Sequence, residues 1–394
     1  MFDPAKSGLI YKANFSEKRF RFLVDCLRFD DKATREARRQ SDKLAAIREI
    51  WDQFILTCTA NYEPGPYLTI DEQLLAFRGR CPFKMYIPNK PAKYGIKIVM
   101  ICDVGSKYML NAEPYLGKQT TPRDVPVSEY FVKKLISPYN GTNRNLTMDN
   151  WFTSIPLVDE LKEAPFNITV VGTVRLNKPE IPRCLLFMKN RAIGDSRFIF
   201  NGTTTLVSVK VKSNKVICLT STMHEGTEIE PQSGKPSIVH HYNQTKVGVD
   251  CFDQMCSVMS CSRKTKRWPL CLFFGMMNMA FINSYVIYNR RLASKGETLV
   301  SRKCFMEELY KGLTTPWLEE RLRQVLQRSL RSTILTVLGR EDVQAPELPP
   351  AVENRRTTCR LCPASKRRMT KSHCAKCNKP FCGEHRADIC RECI

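Results

Sequence analysis

The alternation of apolar and polar positions divides the chain into stretches of different period. Near the start, Phe20, Leu23, Val24 and Leu27 make one helical stripe, and Leu44, Ile47, Ile50, Trp51, Phe54 and Ile55 make a second behind a predicted cap at Ser41. The chain opens almost directly into the first of these, so its start is expected to lack an upstream portion. Over 62–94, in YEPGPYLTIDEQ, FRGRCPFK and IPNKPAKYG, proline, glycine and lysine accumulate, which predicts mostly extended loop. Residues 98–102 are almost wholly apolar and partly β-branched, as in a central strand covered on both faces. That run stops at Asp103, with Gly105 just beyond to allow a turn.

Two short strands, at 108–110 and 115–116, are predicted next, followed by a helix carrying Tyr130, Phe131, Val132, Leu135 and Ile136. NLTMDNW, 145–151, is a second strand breaking at an acid, Asp149, and ITVVGTV, 168–174, is a third. This order predicts a mixed α/β core with acids at strand ends. In 175–245, Val207, Val209 and Val211 alternate with Ser208, Lys210 and Lys212 and turn at Ser213 and Asn214, a hairpin whose lysine face is either solvated or laid along nucleic acid. From Gly248 a helix is predicted, with Val249, Phe252, Cys256 and Met259 on one face and Asp250, Asp253 and Ser257 on a neighbouring stripe. Helices follow over 270–289 and 303–338, and then a Pro-rich acidic linker.

Composition adds a partner class. Among 394 residues Lys and Arg outnumber Asp and Glu by 62 to 39, a net charge of +23, which calls for a polyanion and makes nucleic acid the first candidate. The opening MFDPAKSGLIYK lacks the apolar core of a secretion signal, so free thiols are expected rather than disulfides. The most apolar run, 271–288, is broken by Asn278, Asn283 and Ser284 and reads as a buried helix, so no membrane partner is expected. No phosphate-binding loop, nucleophile elbow or dinucleotide fingerprint is present, so no nucleotide cofactor is expected.

Asp103, Asp149 and Asp250 lie 46 and then 101 residues apart, so only folding could gather them. Converging carboxylates repel unless divalent cations neutralise them, and Mg2+ or Mn2+ suits oxygen ligands. Two such ions about 3.5 to 4 Å apart support in-line phosphoryl displacement. The competing reading is three unrelated surface acids, with Asp250 a helix cap. Arg263, Lys264, Lys266, Arg267 and Trp268 form a basic cluster beside an indole. It reads either as a grip on DNA with the indole stacked on an unpaired base, or as a solvated turn with a half-buried tryptophan.

The tail has its own spacing. Cys359 and Cys362, Cys374 and Cys377, Cys382 and His385, and Cys390 and Cys393 form four pairs, each with two intervening residues, enough for two tetrahedral Zn2+ sites. His373 directly precedes Cys374 and is expected to be a solvated loop residue. Arg367, Arg368, Lys371 and Lys376 stand among the ligands as candidate phosphate contacts, although RING and PHD modules with this layout bind proteins.

ICDVGSKYMLN, LTMDNWFTSIPL, HHYNQTKVGVDCFDQMCSVMSCSRKTKRWP, LTIDEQLLAFRGRCPFKMYIPNKPAKYGIKI and the cysteine tail together resemble the piggyBac-type DNA transposases and transposable element-derived proteins. The resemblance implies a ribonuclease H-like core whose metal-binding triad maps onto Asp103, Asp149 and Asp250, with Asp253 as accessory acid. It also implies nicking of double-stranded DNA at transposon ends, hairpin formation, integration at TTAA, a homodimer and a place in the nucleus. A cross-brace pairing of the cysteine pairs is implied in the same way, and sequential pairing is the alternative. The domains expected are a helical dimerisation and DNA-binding part at 1–95 and 263–338, a catalytic core at 96–174 and 246–262, a β-rich insertion at 175–245, a linker at 339–354 and the zinc module at 355–394. The family usually shows a second glycine where Val247 stands beside Gly248. The alternative function is a truncated or domesticated relative that binds DNA without cutting it, and a weaker one is a zinc module that binds chromatin or a ubiquitin-conjugating enzyme.

Overall fold

The computed structural model describes residues 9–117, 124–340 and 356–385. The chain divides into two compact units, Cys26–Glu308 and a second that joins Met1–Asp25 to Leu309–Ile394. Helices α1 (Ile10–Asn14), α2 (Glu17–Cys26), α3 (Lys32–Ser41) and α4 (Arg48–Ala60) lead into strands β1 (Tyr67–Ala76), β2 (Lys84–Tyr86), β3 (Tyr94–Asp103) and β4 (Met109–Pro114). After α5 (Val127–Ile136) come β5 (Asn145–Met148), α6 (Ile155–Lys162) and β6 (Thr169–Val174), then β7 (Ser196–Asn201), β8 (Thr204–Lys212) and β9 (Lys215–Ser221). The chain continues with α7 (Ser237–Thr245), α8 (Gly248–Ser257), α9 (Trp268–Ser294), α10 (Arg302–Leu322) and α11 (Arg328–Leu338).

The nine strands form one mixed sheet in the order β2-β3-β1-β5-β6-β9-β8-β7, with β4 also paired to β3. β1 runs antiparallel to β3 and parallel to β5, and β5 runs parallel to β6, which is the ribonuclease H-like arrangement expected. One face buries Leu68, Ile70, Val99, Ile101 and Leu146 against Phe131, Val132 and Leu135 of α5 and Leu157, Val158 and Leu161 of α6. α8 packs against β1 and β3 from the other side.

The central strand β1 lies within the stretch read as extended loop. Leu68, Ile70 and Leu74 do alternate with Thr69, Asp71 and Gln73, but both sides of β1 are covered, and Thr69 and Gln73 are buried along with the apolar set. Polar residues buried on a central strand blunt the apolar signal. Ser41 ends α3 rather than capping α4. The two strands predicted after Asp103 are one, β4, and the 303–338 helix is two, α10 and α11.

The β-rich block continues the main sheet, because β9 pairs antiparallel with β6. Its expected solvated lysine face is partly covered. Lys210 is only 9% exposed and donates to the carbonyls of Met188 and Arg191 at 2.9 and 2.6 Å, while buried Ser208 accepts from the Arg191 guanidinium at 3.0 Å.

The apolar run 271–288 lies within α9, which is long and apolar enough by composition to cross a membrane, with 50% of its most apolar window buried inside the protein. Its buried asparagines fasten neighbouring backbone: Asn283 exchanges two hydrogen bonds with Met109, and Asn278 accepts from the Cys261 amide at 2.9 Å. In the second unit Ala13, Leu318 and Ile334 form a small core, and the Trp317 indole donates to the Asn14 carbonyl at 3.0 Å.

Candidate active site

Strand parity decides which acids can meet. Asp71 stands in the middle of β1 opposite Met100, and because side chains alternate it points away from the face that buries Leu68 and Ile70. In the parallel ladder Ile70 pairs with Met148, so the next residues, Asp71 and Asp149, stand side by side. Asp149 opens the turn after β5, where its Oδ1 accepts from the amides of Trp151 and Phe152 at 2.8 and 3.3 Å.

α8 supplies the other two carboxylates. Gly248 begins it against β1, and a Cβ there would come within 2.4 Å of Thr69 Cγ2, so glycine is what lets the helix sit this close. The neighbouring Val247 adopts φ −82° and ψ 1°, in the bridge region but on the negative-φ side, so the left-handed freedom of a second glycine is not used there. One turn into α8, Asp253 Oδ1 accepts from Gln73 Nε2 of β1 at 2.7 Å. Asp250 lies in the first turn and acts electrostatically on Asp253.

These groups feel one another. Burial raises Asp71 well above the usual carboxylate range, and the negative charges of Glu72 and Asp149 raise it further. Burial likewise raises Asp149 and Asp253, with Glu72 adding to the first and Asp250 to the second. The opposing cation is Lys90, from the β2–β3 loop, whose ammonium donates to the Glu72 carbonyl at 3.1 Å and favours ionisation of both Asp71 and Asp253. On the opposite face Lys97 lies 3.4 Å from Glu72 and 4.0 Å from the centre of the Trp151 ring, bracing the turn that holds Asp149. A set of hard oxygen donors under charge repulsion fits divalent cations. Among the described residues, though, no three of these acids gather their oxygens into a metal-sized cluster as the tail ligands do.

Asp103 is not part of this set. It pairs with Leu68, so it shares the face of Leu68 and Ile70, opposite to that of Asp71. Only 3% exposed, it is fully engaged in holding turns: Oδ1 accepts from the Gly65 amide at 2.9 Å, and Oδ2 accepts from the amide and hydroxyl of Ser106 at 2.7 and 2.6 Å. The structure therefore replaces Asp103 by Asp71 as the neighbour of Asp149. The signal for Asp71 was present in LTIDEQLL, a motif of the resemblance, but the acid lies inside a strand rather than at its end.

In the basic cluster Arg263, Lys264 and Lys266 are exposed, whereas Arg267 donates to the Leu27 carbonyl at 2.6 Å. Trp268 packs edge-on against Phe83 at 5.0 Å and is half-buried.

In the tail the first and third pairs meet. Cys359, Cys362, Cys382 and His385 have ligand atoms all within 4.8 Å of one another, with Cys362 Sγ 3.5 Å from Cys382 Sγ and His385 Nδ1 3.4 to 3.8 Å from the three sulfurs. Around a tetrahedral ion bonded at about 2.3 Å to sulfur and about 2.0 Å to nitrogen, ligands stand roughly 3.5 to 3.8 Å apart, so the four residues fit one. Cys374 and Cys377 stay outside this cluster, and Cys390 and Cys393 lie outside the described residues. The Nδ1 of His373 lies 3.0 Å from the Lys371 carbonyl. Arg367, Lys371 and Lys376 are exposed, while Arg368 pairs with Glu384.

Comparison with known proteins gives the family. A model of the family described as Transposase IS4 matches residues 6–285. The chain is 49% identical to a solved piggyBac transposase in a synaptic complex with hairpin DNA, covering 100% of this chain and 83% of that one at a TM-score of 0.86. It is also 25% identical over 298 residues to the PiggyBac transposable element-derived protein 3 of Homo sapiens, covering 68% of this chain and 48% of that protein. The chain thus spans about half the length of that curated relative.

Proposed function

This chain belongs to the transposase IS4 family and is of the piggyBac type, and from that premise we propose that it is a cut-and-paste transposase acting on double-stranded DNA in the nucleus. Asp71, Asp149 and Asp250 would hold two divalent cations, Mg2+ or Mn2+, with Asp253 as the accessory acid. When bound, those ions supply Lewis-acid activation of an attacking hydroxyl and stabilisation of the departing oxygen. The chain's own part is geometric: the β1–β5 ladder fixes two acids side by side, the Asx turn at Trp151 orients one of them, and Gly248 brings the helix with the other two against the strand. Lys90 balances their charge. Hydrolytic attack would free a 3′ hydroxyl, and its attack in turn would give hairpins and joining at TTAA.

The observation that carries this reading is the parallel register that sets Asp71 beside Asp149 under α8. Incubating the purified chain with transposon-end duplex and Mg2+ or Mn2+ tests it. Nicking is expected from the native chain and not from Asp71→Asn, while Asp103→Asn, assayed below its melting temperature, still cuts. Equal cutting by Asp71→Asn and the native chain would overturn the assignment.

We also assign zinc to Cys359, Cys362, Cys382 and His385, and a second zinc to Cys374 and Cys377 together with Cys390 and Cys393, completing a cross-brace. Arg367, Lys371 and Lys376 then offer phosphate contacts on a homodimeric enzyme. The second reading, DNA binding without cleavage, is favoured by the element-derived character of the human relative, and footprinting without nicking would support it.

A further inference from the structure

The edge of the sheet carries an aromatic pair that core packing leaves uncovered. β2 pairs antiparallel with the start of β3, which sets Tyr86 directly opposite Tyr94. Their rings lie 4.8 Å apart at 42°, yet the residues are 55% and 41% exposed. Two cations border them: the Arg78 guanidinium is 5.9 Å and the Lys84 ammonium 6.0 Å from the centre of the Tyr94 ring. Lys84 is held there by its hydrogen bond to the Gly79 carbonyl at 3.1 Å.

The surroundings select the kind of partner. From Arg78 to Tyr94 the sequence contains no acid, and Arg78, Arg80, Lys84 and Lys93 are all exposed. A Cβ on Gly79 would meet the carbonyl of Lys266 at 2.6 Å, so the exposed Arg263, Lys264 and Lys266 border the same surface. Cations around flat aromatic faces suit a phosphate backbone with a base stacked between them, whereas an apolar protein partner would meet charge. Parity gives the direction. Tyr94 occupies an even position of β3, as does Met100, the partner of Asp71, so the tyrosines lie on the carboxylate face, roughly 20 Å along the strand. The hairpin that displays them also carries Lys90 to the acids.

We propose that Tyr86 and Tyr94, gripped by Arg78 and Lys84, form a stacking site for an unpaired nucleotide of the DNA that the carboxylates cut. This rests on the transposase reading above. It assigns to the tyrosine pair the role that the sequence had offered to Trp268, whose indole instead packs against Phe83.

The test uses the full chain without divalent metal, so that nothing is cut, and a duplex bearing a single-stranded tail that contains 2-aminopurine. Quenching of the tail fluorescence by the native chain is expected. Replacing both tyrosines with alanine should abolish the quenching and weaken binding of the tailed duplex roughly 5- to 100-fold. Binding of the blunt duplex and the melting temperature should not change. The double phenylalanine variant keeps the rings and should behave as the native chain. Unchanged binding of the tailed DNA by the alanine variant, with blunt duplex still bound, would overturn the stacking site alone. A phenylalanine variant as weak as the alanine one would overturn stacking in favour of hydroxyl contacts, and a change in oligomeric state would overturn it in favour of a second copy. Failure of the native chain to bind either duplex would overturn the transposase reading and the stacking site together.

Discussion

Asp71 and Asp103 carry the same side chain on neighbouring strands, yet one faces the other acids and the other fastens a turn. The difference has a measurable sign. Asp71, Asp149 and Asp253 keep their protons above the ordinary carboxylate range, so between about pH 4 and those raised values the folded chain binds more protons than the unfolded one. Metal-free stability is therefore fullest below that window and falls as pH rises through it. Thermal melts across pH should show the fall, and added Mn2+ should restore stability more at high pH than at low pH. Asp71→Asn removes one of the ionisations, so at neutral pH without metal it should raise stability by something on the order of 1 kcal/mol while abolishing nicking. Asp103→Asn should do the reverse. It loses charge-assisted bonds from Gly65 and Ser106, lowering stability by about 1 to 3 kcal/mol, and leaves cutting intact at permissive temperature. Asp149 and Asp253, two acids of the proposed site, were legible because one ends an apolar run and the other lies on a helix stripe. Asp71 was hidden because nothing in its neighbours' hydropathy marks a residue that is inside a strand and also beside a site.

At the scale of elements, the decisive contact is α8 on β1. Gly248→Ala puts a methyl 2.4 Å from Thr69 Cγ2, so either Thr69 rotates or the helix carrying Asp250 and Asp253 shifts. Overpacking of this kind costs about 1 to 3 kcal/mol, and denaturant melts should show it together with reduced nicking. Thr69→Ser removes the clashing methyl, and the double variant should recover both stability and cutting. Recovery of stability without activity would mean that the helix settles in a new place. Strands β3, β5, β6, β8 and β9 were readable from apolar runs or alternation, but β1 was not, because prolines and glycines flank it and both its faces are covered.

At the scale of the whole molecule, the charge of +23 and the cysteine-bound tail point to salt-sensitive binding of DNA. Replacing Arg367, Lys371 and Lys376 together by alanine should reduce the slope of log affinity against log salt by about two to three, near 0.9 per lost phosphate contact. Chelation of zinc should lower affinity at least as far, and Cys382→Ala should reproduce the chelator's effect, both read by fluorescence anisotropy. The sequence by itself determined the mixed α/β class, the basic partner preference, the paired Cys/His spacing of the tail and three of the four acids of the proposed site. Each of these is written in neighbouring residues, as periodicity, composition or short spacing. Only the tertiary structure decided that Asp71 rather than Asp103 stands beside Asp149, and that Cys359 and Cys362 meet Cys382 and His385. Facing and pairing depend on which strand or loop lies alongside, and a partner tens of residues away leaves no mark on the local pattern.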